Sequence, residues 1–342
     1  MPLSVSANDD RYTLTRISSP IILDGYSDEA AWQEIDPLPL TMYQPIHRGD
    51  MTQHSEIRVA YDDKYLYVSG KLYDSNPDQI VTNSLYRDSY SGDDTFAIIL
   101  DTFNDSENAR WFFMTPTGVR VDMLVLNDSE GRNSINRDWN TYWDVESRVT
   151  DEGWFAEMRI PFSSLGFEEI DGRVTMGMIV YRYIARNAER HIYPDIAPNW
   201  SRGFAKPSQS QEISLSGIEY RKPVYITPYL LGGLNQEYQL AQTDYTSVES
   251  SEQEAGIDVK YPLSGNMTLD LTVNTDFAQV EADNAQINLT RFPLFFPEKR
   301  QFFQERSDIF AFDLGGNSTL FYSRRIGLQQ GNPVRILGGA RV

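Results

Sequence analysis

The stretch Glu56-Ile57-Arg58-Val59-Ala60-Tyr61, followed by Asp62-Asp63-Lys64 and then Tyr65-Leu66-Tyr67-Val68-Ser69-Gly70-Lys71-Leu72, decides how the chain is read. Ile57, Val59 and Tyr61 fall on one face of an extended segment. A short acidic turn follows, and the alternation resumes. Period-two patterning on both sides of a short turn specifies an antiparallel hairpin. The same grammar recurs outward along the chain. Residues 95–100 form a short apolar run. Residues 110–115 and 119–126 flank the turn Pro116-Thr117-Gly118, and residues 142–149 and 153–160 flank Thr150-Asp151-Glu152. Residues 174–184 make another strand. Helical signals are confined to residues 27–33, with Ser27 or Asp28 as cap, and to one turn within Pro161-Phe162-Ser163-Ser164-Leu165-Gly166. Many short strands at roughly ten-residue spacing specify an all-β chain whose first part is a jelly-roll or Ig-like antiparallel β-sandwich.

The 342 residues carry a formal net charge of −19 and no cysteine. That length suits two structural units. The acidic balance excludes a nucleic-acid partner, which needs a basic footprint. It suits solubility outside the cell and attraction of divalent cations. Absence of cysteine removes disulfides, thiolate nucleophiles and cysteine metal sites. No apolar run is long enough for a transmembrane helix, and the first residues show no signal-peptide pattern.

After Arg221-Lys222-Pro223 the pattern changes to long dyad alternation. Ala255, Ile257, Val259 and Tyr261 oppose Gly256, Asp258 and Lys260. Beyond the turn Ser264-Gly265-Asn266, Met267, Leu269, Leu271 and Val273 oppose Thr268, Asp270, Thr272 and Asn274. Such a hairpin suits either an outer-membrane barrel or an ordinary half-buried sheet. Residues 291–312, rich in aromatics, prolines and paired charges, fit neither period and are expected to form a compact, irregular, buried loop. The tail supplies too few strands for a closed barrel, so the barrel is expected to be incomplete and the chain truncated.

Chemistry-bearing patterns are few. His47, His54 and His191 lack metal spacing and read as structural or solvated. No nucleophile elbow, phosphate loop or dinucleotide fingerprint occurs. Among 49 acidic residues, carboxylate pairs that could cleave an O-glycosyl bond arise by chance. Should the chain be an enzyme, a glycoside hydrolase fragment is the class expected. Asp101, Asn104 and Asp105 crowd hard oxygen ligands into one turn, and Asp122 lies on the expected partner hairpin. They mark either a calcium site or an Asx-rich turn. Trp139 and Trp143, beside Asn140 and Asp144, are either a platform for a sugar ring or part of the core. Trp111 and Trp154 read as core, and Trp32 packs the N-terminal turn.

Four segments resemble the family 9 carbohydrate-binding modules. They are Ile22-Leu23-Asp24-Gly25 with Asp28-Glu29-Ala30-Ala31-Trp32, then residues 59–68, residues 93–101, and Gly153-Trp154-Phe155-Ala156-Glu157-Met158-Arg159-Ile160-Pro161-Phe162. The resemblance covers residues 12–219. Residues 288–310 and Tyr322-Ser323-Arg324-Arg325-Ile326-Gly327 are similar to bacterial proteins in which such a module precedes an outer-membrane β-barrel, here residues 224–342. The resemblance implies a non-catalytic glycan-binding sandwich with bound calcium. The residues' own pattern, with neither tryptophan in a motif of the family, places the ligand at Trp139, Trp143, Asn140 and Asp144 and calcium at Asp101, Asn104, Asp105 and Asp122. The resemblance also implies export to the outer membrane, periplasm or cell surface, so the start is expected to be trimmed. The alternative is a plug or assembly role for the barrel without sugar binding.

Overall fold

A computed structural model describes residues 12–131, 134–137, 139–218, 224–241, 244–264, 267–274, 301–304, 321–329 and 332–342. The chain divides into two compact units, Met1–Arg221 and Lys222–Val342.

In the first unit the principal strands are β1 Thr41–Gln44, β2 Ser55–Tyr61, β3 Tyr65–Tyr73, β4 Thr95–Asp101, β5 Ala109–Met114, β6 Arg120–Val125, β7 Asp144–Thr150, β8 Gly153–Pro161, β9 Arg173–Ile184, β10 Glu189–Tyr193 and β11 Gln211–Ser216. One sheet runs β11-β9-β4-β5-β6, with β10 pairing the far end of β9 and β1 pairing β10. The other runs β7-β8-β3-β2. The expected hairpin is β2–β3, with Val59 opposite Val68. Two short N-terminal strands add in parallel, Tyr12–Thr13 to β11 and Thr15–Arg16 to β2. Leu14 between them is buried in the core, so the chain begins by crossing from one sheet to the other.

The alternation explains the packing. Ile57, Val59 and Tyr61 from one sheet and Phe96, Ile98 and Leu100 from the other share one core, with Trp154 and Met158. Strand β4 is buried on both faces, which is why its sequence is a continuous apolar run. Its Ala97 and Ile99 join a second apolar layer with Phe113, Met123, Ile179 and Tyr181, covered by Ile196, Phe204 and Ala205 of the segment after β10. The sheets meet closely at Gly70, where an added Cβ would lie 2.9 Å from the Phe96 ring. Arg182 on β9 ties them together at one end, donating to the carbonyls of His54 (3.0 Å) and Tyr73 (2.8 Å) and to Ser55 Oγ (2.9 Å).

The helix expected from residue 27 is shorter. It is α1, Ala30–Gln33, with Glu29 at the N-cap and no side-chain capping bond. Ser27 sits at φ 54°, in the left-handed region, and the N-cap falls on Glu29 rather than on Ser27 or Asp28. The turn expected after Pro161 is present as a 3-10 turn, Phe162–Ser164. Trp32 packs on Ile17, Ile21, Ala60 and Tyr67, as expected.

In the second unit, β12 Tyr225–Ala241, β13 Asp244–Ser264, β14 Met267–Val273 and β15 Gly338–Arg341 form one antiparallel sheet in that order. Among the described residues this sheet is open. Its polarity is inverted. Leu230 and Leu234 are 87% and 93% exposed, and Leu271 and Val273 are exposed as well, whereas Asp270 and Thr272 are buried. Arg341 bonds Asp270 at 2.6 Å, and Thr272 bonds Asp258. Phe302 of the helical turn α2, Gln301–Gln304, lies against Arg341 and Gly339 on that polar face. The rest of the irregular segment expected at 291–312 lies outside the described residues.

Candidate functional site

The loop chosen from sequence as a sugar platform folds inward. Trp139 is 7% exposed and Trp143 is 1% exposed. Both rings meet Phe112 of β5 edge-on, at 5.9 and 5.2 Å between centroids. The backbone is drawn in by Asp122, which accepts Thr141 N–H at 2.6 Å, and by Arg120, which donates to the Trp143 carbonyl. Neither indole presents a face to solvent, which corrects the expectation that they clamp a ligand. Asn140 is exposed. Asp144 pairs with Arg159 at 2.7 Å on the rim of an open groove of about 640 Å³ that also takes in Ile22, Arg120 and Glu146.

The four residues expected to hold calcium do not converge. Asp101 accepts backbone N–H from Asp105 (3.1 Å) and Ser106 (2.7 Å), and burial pushes its carboxyl up to about 6. Asp105 is taken by the N–H groups of Glu107 and Asn108, both at 2.8 Å, and the Asn104 amide points to Glu212. Asp122 is engaged elsewhere, with Arg87 at 2.6 Å. This is the bonding of an Asx-rich turn. Among the described residues no three His, Cys, Asp or Glu side chains are grouped to hold a metal ion. The histidines have local partners: His47 with Asp195 (3.0 Å), His54 with Glu56 (3.4 Å) and buried His191 with Glu189.

The exposed indole is Trp200, 41% accessible, in the segment joining β10 to β11. Its surroundings are built with care over strain. Asn127, Asp128 and Ser129 all adopt left-handed φ, 51°, 50° and 60°. Each such non-glycine residue costs about 1–2 kcal/mol, so the conformation persists only where neighbours over-determine it. Lys206 supplies them. Its ammonium donates to the Asp128 carbonyl (2.9 Å) and Glu130 Oε1 (2.9 Å), pairs with Asp128 Oδ2 (2.7 Å), and lies 5.5 Å from the Trp200 ring centre. Ser208 holds both Asp128 carboxylate oxygens, and Arg202 donates to the Gly131 carbonyl at 3.0 Å. Burial opposes the charge on Lys206, but the bonds to Asp128 and Glu130 outweigh it and raise its pKa.

Beneath the loop, Phe204 rides on the Arg190 guanidinium, 3.5 Å from ring centre to Cζ, with Tyr181 and Tyr183 alongside. Gly203 lets the loop pack closely there, since an added Cβ would stand 2.9 Å from the Tyr43 hydroxyl and 3.2 Å from Trp200 Cβ. The result is an exposed indole held 5.5 Å from the buried Lys206 ammonium, with Arg202 and Glu130 exposed on the loops that Lys206 and Arg202 tie together. Such a set can stack an apolar ring face and bond a rim of hydroxyls. Sequence reading missed Trp200. The available signal was an indole within Pro198-Asn199-Trp200-Ser201-Arg202-Gly203, a turn-rich stretch without apolar period.

No curated protein matches the chain. Among solved structures, the chain is similar to a family 9 carbohydrate-binding module from Caldicellulosiruptor kristjanssonii in complex with glucose, at 18% identity and TM-score 0.42, covering 62% of this chain and 98% of that one. The same module with cellotriose gives 18% and 0.41, covering 61% and 95%. A provisionally assigned carbohydrate-binding protein from Bacteroides uniformis ATCC 8492 gives 11% and 0.46, covering 60% and 98%. Residues 224–336 match a domain of unknown function, DUF5916. Residues 22–209, more than half of the sequence, match the carbohydrate family 9 binding domain-like model, and the chain belongs to that family.

Proposed function

We propose that the first unit binds a carbohydrate without cleaving it, and that the Trp200 loop is the contact surface. The observation that carries this reading is an exposed indole on a loop that Lys206 and Arg202 brace against the left-handed turn at 127–129, with Arg202 and Glu130 exposed on the two braced loops. Membership of the family supports it. Affinity electrophoresis through gels containing soluble polysaccharides tests it. The chain should be retarded by at least one of them, and Trp200→Ala should migrate as in the empty gel. Equal retardation of both would remove Trp200 from the site.

The second unit we read as part of an outer-membrane structure, with an extracytoplasmic, bacterial setting for the whole chain. What supports this is the inverted sheet, apolar residues outward and an Arg341–Asp270 pair inward, which is the polarity of a lipid-facing barrel wall.

A further inference from the structure

We infer that β12 crosses the membrane outward, so that residues 235–254 stand at the cell surface and the chain before Val224 remains in the periplasm. The inference rests on the outer-membrane reading above, and it comes from strand register.

The exposed apolar side chains that are described on β12 and β13 lie toward one end of the long hairpin. On β12 they are Ile226, Pro228, Leu230 and Leu234, the leucines almost fully exposed. Across the ladder Ile226 pairs Val259, Pro228 pairs Ile257 and Leu230 pairs Ala255. Val259 and Ile257 in turn pair Leu271 and Val273 of β14. The intervening positions form the polar face: Thr227 opposite Asp258, Asp258 opposite Thr272, Lys260 opposite Asp270, and Asp270 opposite Arg341. Along the chain this belt runs from Val224, just before β12, to Leu234. A tilted strand needs about 9–11 residues to cross the hydrocarbon layer.

Past the belt both strands continue, paired with each other to Ala241 opposite Asp244. The described pairing of β13 with β14 reaches Ile257 opposite Val273. The described outward side chains of this stretch are polar and exposed, Gln236 on β12 and Ser247, Glu249, Ser251 and Gln253 on β13. Such side chains are costly against lipid tails, so this ribbon belongs in water. At the opposite end, β13 and β14 are separated by two residues only. Outer-membrane barrels keep short turns on the periplasmic side and long excursions outside. Strand β12 begins at the short-turn end, where Tyr225 pairs Lys260, and ends at the ribbon tip. Its direction therefore fixes the sides. The carbohydrate met by the first unit is then a periplasmic one, a wall glycan or an oligosaccharide already taken across, rather than a polymer captured at the surface.

The chain contains no cysteine, so one introduced thiol reports one position. Ser247→Cys, exposed on the ribbon, and Asp151→Cys, exposed in the β7–β8 turn, would be made in the full-length protein and treated on cells with a membrane-impermeant maleimide. On intact cells Ser247→Cys should label at least tenfold more than Asp151→Cys, and permeabilising the outer membrane should bring the two level. Equal labelling, the reverse order, or no labelling of Ser247→Cys on intact cells, in a protein that resists urea extraction from membranes, overturns the sidedness. Release of the protein by urea instead overturns the membrane reading itself.

Discussion

Two sheets in this chain show the same period-two alternation with opposite outcomes. In the first unit, Ile57, Val59 and Tyr61 turn inward and meet a second sheet. In the second, the alternating apolar residues Leu230, Leu271 and Val273 turn outward, and Asp270 and Thr272 turn in. Alternation reports that the two faces differ. Which face is buried depends on what lies opposite it, and the strand itself does not encode that. The contrast also separates two kinds of aromatic loop. Trp139 and Trp143 are pulled under by Phe112, while Trp200 stays out on a loop braced by polar bonds.

The comparison is broken most severely at Trp143. Its replacement by alanine should cost about 3–5 kcal/mol, through lost burial and an unfilled cavity. All six tryptophans precede residue 219, so urea unfolding followed by indole emission reads the first unit alone. A loss below ~1 kcal/mol would mean that the ring is not core. Next is Leu271→Arg on the outward face of β14. If that face meets lipid, the charge should disfavour insertion by about 2–4 kcal/mol near the midplane, seen as loss of the membrane-inserted fraction in liposome flotation. Unchanged insertion would argue for water on that face.

A smaller effect concerns pH. Burial, reinforced by Asp122, pushes the Asp88 carboxyl up to about 6, and burial does the same for Asp101. An unfolded aspartate titrates near ~3.9, so the folded state holds these protons more tightly. The stability they contribute when protonated is complete below about pH 4 and is lost as pH rises through about 6. The melting temperature of the first unit should therefore fall between those values, and Asp101→Asn should flatten the slope. A melting temperature that rises over this window in the unmodified chain would contradict the assignment. The smallest effect expected is that of chelation. Since the 101–108 turn satisfies its carboxylates with backbone N–H groups, EDTA should leave the melting curve where it was. A downward shift would restore a structural cation.

Much of the first unit was legible because its signals are local. Alternation on both sides of Asp62-Asp63-Lys64 locates β2 and β3, and the unbroken run Phe96-Ala97-Ile98-Ile99-Leu100 marks a strand covered on both faces. The site was not legible in this way. Two indoles in a polar loop look accessible until Phe112, about thirty residues earlier in sequence, is placed beneath them, while Asn140 and Asp144 beside them do stay exposed. The acidic turn at Asp101 has the composition of a cation loop, but its oxygens are spent on its own backbone. Trp200 is invisible to periodicity. Its exposure follows from the left-handed turn at 127–129 and from Lys206 reaching across to it, which are tertiary facts.

The central claim is that the carbohydrate-binding face lies at Trp200 and not at the loop around Trp143. A glycan array of plant, algal and bacterial oligosaccharides, probed with the unmodified chain, Trp200→Ala and Tyr142→Ala, tests it directly, because Trp200 and Tyr142 are the exposed rings of the two competing loops. The account predicts binding to at least one glycan by the unmodified chain, retention by Tyr142→Ala, and at least a tenfold loss in Trp200→Ala, equivalent to ~1.4 kcal/mol. Binding that survives Trp200→Ala and disappears in Tyr142→Ala, or a folded chain that binds no glycan on the array, would contradict it.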